Sequence, residues 1–432
     1  MSLFRKVLGA PGMLNSIYKI FSKIPDPRTF IRSPSIPIVD HCMAGLAVFG
    51  LKCTSLLDYD NQRSNGVVAK NLHDLYHVST PPSDTYLRER LDEVNPNGIR
   101  PAFKKLFAHF QRGKGLEEFE FLNGYVLLAG DGTGHFSSDK ISCPHCCKKE
   151  HASGTTTYYH QLFAACVVHP DKRNVVPLCP EAICNEDGAS KNDCERNACK
   201  RFLENFRREH PHLKAILVGD GLASTAPYIR MIAACGLKYI LGAKPGDHEY
   251  LFEQLEVSEK TVYHEIRTED GYLHQFRFLN EVALNKSNQD VKVNVLEYRQ
   301  TDAKGRERNF SWVTNIWITV GNVMTITRGG RARWKIENET FNTLKNYGYN
   351  FEHNYGHGKK YLSTNLGMLM MLAFLIDQVQ ELSCTLYKKC RAHLRTYRNL
   401  WEHMRVLFCR FVLGDWENFY LTLAGERVPN TS

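Results

Sequence analysis

The residues best suited to chemistry are two aspartates set in near-copies of one local design. Asp131 lies in "LLAGDGT" and Asp220 in "ILVGDGL", so each time an apolar run delivers Gly-Asp-Gly. In open α/β sheets the ligand site lies at the carboxyl ends of strands, and flanking glycines let a substrate or metal come close to the backbone. A lone Asp-Gly is more often a strand-ending aspartate that caps the next turn or helix. Two of them, each closing an apolar strand, are expected to converge at one edge of a sheet. Converging carboxylates repel each other, and a hard cation such as Mg2+ relieves that repulsion.

A third acid is expected from "RARWKIENETFNTLK", Arg331 to Lys345. With Arg333 at zero and about 100° per residue, Glu337 falls near 40°, Leu344 near 20°, Phe341 near 80° and Trp334 near 100°. Glu337 is therefore expected inside the apolar arc. Glu339, near 240° on the same wheel, shares the polar side with Lys335 and Asn342. A carboxylate on a buried face must be paired or metal-bound. Arg333, one turn earlier, can pair with it, and a plain Arg–Glu bridge that only anchors the helix is the alternative to a catalytic role. Asp131, Asp220 and Glu337 together would hold two Mg2+ (or Mn2+) ions. One ion would activate a water or 3′-hydroxyl and the other would stabilise the leaving oxygen of a phosphodiester.

The elements that must position these acids are legible from periodicity. Residues 1 to about 120 read as mainly helical, with "IPDPRTFIRSPSIP" a proline-punctuated loop. Strands are expected over 124–136, 157–170 and 174–184, then a helix over 192–210, a strand over 214–221, a helix over about 223–235 and a strand over 238–244. That order, β-β-β-α-β-α-β, implies an α/β fold with a mixed sheet flanked by helices. Residues 246–312 are strand-like and polar and read as a β-rich insertion. From about 361 the chain is helical again. Its most apolar run, "LGMLMMLAFLI", is too short to span a bilayer and reads as a buried helix.

The 432 residues carry 43% hydrophobic and 23% charged side chains, ordinary values for a globular chain with a sizeable core. A formal charge of +9 permits a polyanionic partner without requiring one. The opening residues lack a secretory signal, so the 14 cysteines are expected to be reduced thiols in a cytoplasmic protein. In "CPHCCKKEH", Cys143, Cys146 and His151 have zinc-ligand spacing and are candidates for a structural Zn2+ site; the alternative is a loop with ordinary thiols. A second ligand pair could come from Cys179 and Cys184 or from Cys194 and Cys199. His353 and His357, in the glycine-flanked "EHNYGHG", read as exposed loop residues or as part of a DNA path.

Taken together, the chain resembles the DDE transposases of bacterial insertion sequences, of the insertion-sequence-four type (DDE_Tnp_1-like), with a ribonuclease-H-like core. The resemblance rests on "GDGTGHFSS", "TYYHQL", "DGASKNDCERNACKRFL", "ILVGDGL", "AKPGDHEYL", "WVTNI" and "RARWKIENETFNTLKNYGYNFEHNYGHG", and spans about residues 120 to 375. It implies a helical N-terminal DNA-binding region (1–120) and a catalytic core in two parts (121–245 and 313–375). The β-rich insertion (246–312) would separate those parts, and a helical region (376–432) would end the chain. It further implies cut-and-paste transposition, in which the enzyme cleaves transposon ends and joins 3′-hydroxyls to target DNA. Asp131, Asp220 and Glu337 would be its catalytic metal ligands. The partners implied are double-stranded DNA, as terminal inverted repeats and target, and a second copy of the chain in a synaptic complex; no membrane is implied. The family signature Tyr-x2-Arg-x3-Glu-x6-Lys is matched by Arg333 and Glu337. Gly330 stands at the tyrosine position and Leu344 at the lysine position, with Lys345 one residue late. Arg331, Arg333, Lys345 and Lys244 are candidates for phosphate contacts and Trp334 for stacking on a displaced base. The rival readings are a related nuclease that cuts without joining, and a DNA-binding protein that has lost catalysis.

Overall fold

Apolar runs in the middle of the chain assemble into one mixed sheet of twelve strands. The structure is a computed structural model, and it describes residues 7–28, 36–185 and 194–428. The strands are β1 (Glu120–Leu122), β2 (Tyr125–Ser138), β3 (Cys147–Glu150), β4 (Thr156–Val168), β5 (Val176–Pro177), β6 (Glu181–Ile183), β7 (Ala215–Gly219), β8 (Lys238–Gly242), β9 (Val262–Arg267), β10 (Leu273–Ala283), β11 (Lys292–Thr301) and β12 (Glu307–Thr314). Their lateral order is β3-β4-β2-β7-β8-β12-β11-β10-β9, with β5 and β6 also on β4 and β1 on β2. β4 is antiparallel to β2, whereas β7 and β8 join in parallel. The helices Glu195–Glu209 and Ala226–Ala234 precede β7 and β8. The third expected strand, 174–184, is split into β5 and β6. Pro177 and Pro180 lie in this stretch and lack the N–H that an unbroken ladder needs. Residues 192–193 of the expected helix and residues 29–35 of the loop 24–37 lie outside the described residues.

The insertion does not form a separate body. After the helix Glu249–Val257, β9 to β12 continue the same sheet as antiparallel strands, and β12 pairs with β8 through Trp312 opposite Gly242. This covers an edge that would otherwise present unpaired backbone groups. The new strands are held by a ladder of rings. Phe276 and Tyr298 stack at 5.1 Å, Tyr298 and Phe310 at 6.0 Å, and Phe310 and Trp312 at 5.8 Å. The first two are cross-strand pairs, each worth about 0.2–1 kcal/mol, and the third joins neighbours on one face of β12.

The apolar run near residue 370 belongs to the helix Leu362–Ser383. This helix is long and apolar enough to cross a membrane, but 94% of its most apolar window is buried inside the protein. It packs on the N-terminal helices Ile38–Gly50 and Asp84–Glu93 and on β4. Its start is fixed from a distance in sequence. Asp92 Oδ1 accepts the N–H groups of Lys360, Tyr361 and Leu362 at 2.9–3.0 Å, and Oδ2 accepts that of Lys359 at 2.9 Å. One carboxylate thus satisfies backbone donors that a helix start leaves without partners. Asn365 adds two bonds, donating to the carbonyls of Leu91 and Val94 at 2.7 Å each. The N- and C-terminal helical regions also merge into one layer. Lys52 pairs with Asp377 at 2.7 Å, Asn71 donates to the carbonyls of Phe408 and Phe411 at 2.8 Å, and Trp416 donates to that of Leu75 at 3.0 Å.

Replacing Asp92 by alanine removes the carboxylate from four amides, of which Tyr361 alone keeps the Asp92 backbone carbonyl at 3.3 Å, and is expected to lower unfolding free energy by roughly 2–3 kcal/mol. Asp92→Asn, which keeps an oxygen, is expected to lose less. Urea unfolding of the two variants beside the parent chain checks both statements.

Candidate acidic site and a histidine–cysteine cluster

The last paired rung between β2 and β7 sets Ala129 opposite Val218. Asp131 and Asp220 each follow two residues later, so the sheet delivers them to one face at one level. They are not two strand ends, as the sequence suggested. β7 stops at Gly219, but β2 continues to Ser138 on β4, with Asp131 opposite Ala164. The glycines also serve packing more than ligand access. A Cβ on Gly132 would stand 3.0 Å from Glu195 Oε2, and one on Gly130 would stand 2.6 Å from the Phe163 ring.

Glu337 reaches this place by a route that the helical wheel does not describe. The segment is a regular helix over Val323–Arg331, a 3-10 turn over Ala332–Trp334, a π-helix over Ile336–Phe341 and a short α-helix over Asn342–Asn346. Widening the helix shifts the phase, so the buried side is Ile336, Thr340, Phe341 and Leu344. Glu337 and Trp334 are exposed, and Lys335, expected on the polar side, is buried with Nζ donating to the Lys172 carbonyl at 2.5 Å. The expected pairing of Arg333 with Glu337 is present at 2.7 Å. Arg333 makes a second bond, to Asp131 Oδ2 at 3.2 Å, and so joins acids from two distant parts of the chain.

Asp220, Lys244, Arg331, Arg333 and Trp334 line one cleft of about 760 Å³, together with Phe310 and Trp312. Arg331 lies over the Phe310 ring at 5.1 Å, and Trp334 is 43% exposed, which leaves its ring available for contact. Lys345 is not among the lining residues and is paired with Glu352 at 2.7 Å. Gly330 cannot carry a side chain here, because a Cβ would fall 2.4 Å from Trp312 Nε1. The indole therefore fills the space next to the position where the resemblance led one to look for a tyrosine.

The site has a fourth carboxylate, on a helix whose acids the sequence pattern did not single out. Glu195 begins the helix Glu195–Glu209, and its carboxylate lies against Gly132. Burial, followed by the charges of Asp131 and Asp220, raises its carboxyl to about 7. Burial likewise raises Asp131, with Glu337 and Asp220 adding to the effect, while the Gly132 N–H and Arg333 oppose it. The only sequence signal for Glu195 was an acid at the start of the helix that precedes β7. Among the described residues these acids do not form a group of three whose donor atoms all lie within 4.8 Å; the one such group is elsewhere.

That group is Cys143, Cys146, His160 and His357. The two cysteines were expected as ligands, but His151 was not brought to them. It is exposed, with Nε2 2.8 Å from Thr157 Oγ1. The structure supplies instead His160, from β4, and His357, from the loop before the helix Leu362–Ser383. His160 stands at zinc-site spacing from the pair, as Cys-x2-Cys-x13-His, whereas His357 has no short-range sequence relation to it. The cysteine pairs Cys179/Cys184 and Cys194/Cys199 take no part, and no disulfide links the described cysteines. No protein-family model matches the chain, and no curated protein matches it.

The raised carboxyl of Glu195 has a definite sign. Its penalty is absent below the ordinary carboxylate range and grows as pH rises towards about 7. Solvent screening tempers it, since Glu195 is exposed as a residue although its carboxylate is set against Gly132. Glu195→Gln is therefore expected to melt at the same temperature as the parent chain near pH 4 and at a higher one near pH 7. Thermal midpoints across that range check it, and a gap that is constant with pH would remove the electrostatic explanation.

Proposed function

We propose that the chain is a DNA transposase of the DDE type, which cleaves transposon ends and transfers their 3′-hydroxyls into target DNA. The observation that carries the reading is the meeting of Asp131 and Asp220 at one level of adjacent parallel strands, linked through Arg333 to Glu337 beside a basic, aromatic-lined cleft. The strand order supports a ribonuclease-H-like core. Counting β2, β4, the β5/β6 pair, β7 and β8 as first to fifth gives the order third-second-first-fourth-fifth, antiparallel among the first three and parallel thereafter.

The donor set is of the type that Mg2+ or Mn2+ takes, namely hard carboxylate oxygens, and burial with neighbouring negative charge disfavours the charged form of Asp131 and of the adjacent Glu195. Asp131, Asp220 and Glu337 would hold the ions. Bound there, the metal supplies Lewis-acid activation of a water or 3′-hydroxyl and charge neutralisation at the leaving oxygen. Arg333 orients Asp131 and Glu337 and offers positive charge to a phosphate. Arg331 and Lys244 extend that charge along the cleft, and Trp334 presents a face for an unstacked base. A second groove of about 740 Å³, between N-terminal helices, is lined by Lys19, Lys23, Lys104, Lys105 and Arg112 and suits the duplex backbone. Synapsis of two ends calls for two copies of the chain.

A plasmid carrying the gene with its own flanking DNA, incubated with purified protein and Mg2+ or Mn2+, is expected to yield cleaved ends and joined products. Asp131→Ala, Asp220→Ala and Glu337→Ala are each expected to lower the rate by about 10³-fold or more, whereas Glu339→Ala keeps activity. Cleavage without joining of pre-cut ends would favour the nuclease. DNA binding without any metal-dependent cleavage would favour a protein that has lost catalysis.

A further inference from the structure

Four potential soft-metal ligands from three separate parts of the fold meet at one point, far from the acids. Cys143 and Cys146 come from the turn before β3, His160 from β4 and His357 from the loop between the Glu337 segment and the helix Leu362–Ser383. The separations are 3.7 Å for the two sulfurs, 3.4 Å from Cys143 Sγ to His160 Nε2, and 3.3 Å from Cys146 Sγ to the same nitrogen. They are 3.1 Å from Cys146 Sγ to His357 Nε2 and 3.2 Å between the two imidazole nitrogens. A tetrahedron with Zn–S of about 2.3 Å and Zn–N of about 2.0–2.1 Å has edges of roughly 3.3–3.8 Å. The observed edges match this to within a few tenths of an ångström. The sulfurs are too far apart for a disulfide, which needs about 2.05 Å. Cys146 is 0% exposed, His160 3% and His357 9%, with Cys143 half-buried at the outer side, so the group is largely shielded as suits a structural site.

The backbone is built to bring His357 in. Gly356 and Gly358 on either side of it have φ of 149° and 69°, values that other residues rarely adopt. The ring then lies 4.4 Å from that of Phe136 on β2. Along β2 and β4, His160 pairs with Phe136 while Asp131 pairs with Ala164. The five-residue offset on β2 separates the two sites by roughly 17 Å at about 3.3 Å per residue.

We infer that Cys143, Cys146, His160 and His357 bind one structural Zn2+, which pins the loop after the Glu337 segment to the outer edge of the sheet. Two thiolates balance the dication, and two neutral imidazoles complete the shell. The ion would add to folding stability, since the unfolded chain has no such preformed site. The inference does not depend on the proposed transposase activity.

The test uses the full chain, purified without a histidine tag or chelator, with metal measured by mass spectrometry. One zinc per chain is expected. His357→Ala and Cys146→Ser should fall below about 0.2 zinc per chain, whereas His151→Ala keeps the full complement. Because a ligand variant can fail to fold, Co2+ replacement in the parent chain is the second measurement. It should give thiolate charge-transfer bands and the strong visible absorption of a four-coordinate site. A chelator should lower the melting temperature of the parent chain. Folded parent chain that lacks zinc and gives no thiolate–cobalt absorption would overturn the inference, as would loss of zinc in His151→Ala with retention in His357→Ala.

Discussion

The register between β2 and β7 is the constraint on which the acidic site depends. With Ala129 opposite Val218, the two aspartates stand level and on one face; a slip of one residue would send one of them to the other face. The paired residues, Val126–Ala129 and Ala215–Val218, are all at most 3% exposed. Strands buried on both faces lack the apolar–polar alternation that usually selects a register. Here the selection is made by the polar residues that end each run. Sliding either strand inward would draw a carboxylate into the core, at a cost of several kcal/mol. Asp131 and Asp220 therefore serve as register stops as well as candidate ligands, and their double use explains why the same Gly-Asp-Gly follows both runs.

Gathering carboxylates at one level creates an electrostatic load that the surroundings only partly offset. Arg333 bonds to Asp131 and Glu337, and the Gly132 N–H is directed to Asp131 at 2.8 Å. Burial and repulsion still raise Asp131 and Glu195 above the ordinary carboxylate range. A fold would not accumulate like charge there for stability alone, since removing one acid relieves it. Sites that trade stability for poised charge are a common mark of function.

Much of this was legible in the chain, and the failures have identifiable causes. The two Asp-Gly motifs, the strand order around them and the Arg333–Glu337 pair followed from short-range pattern. The wheel misjudged which residues of 331–345 are buried because it assumed one uniform helix, whereas the segment passes through three helix types. That change of pitch has no local signature in "ARWKIENETF". Glu195 and His357 were missed as partners because each is joined to its cluster only by the fold, whereas His160, at zinc-site spacing after Cys146, was passed over for the nearer His151. The sequence distances of Glu195, His160 and His357 from the residues they meet are 64, 14 and 211 positions, from Asp131, Cys146 and Cys146 respectively. The insertion's alternating strands announce a sheet, but not whose sheet they extend.

The position of Glu337 follows from how its segment is held at both ends. Upstream, Gly330 packs directly under Trp312 and Arg333 is bonded to Asp131. Downstream, His357 enters the cysteine–histidine cluster on β4, and Asp92 takes the amides of residues 359–362. Between these tethers Thr340 touches Cys166 of β4 at 3.4 Å, and Lys335 reaches the Lys172 carbonyl. A regular helix has one phase and one length, and it would have to meet every one of these contacts at once. A local widening to π geometry lets the chain satisfy both ends while Ile336 and Thr340 stay buried and Glu337 turns outward to Arg333. The placement of the third acid is therefore a property of the tethers, and the cysteine–histidine cluster near one end of β2 and β4 helps to set the acids gathered near their middle.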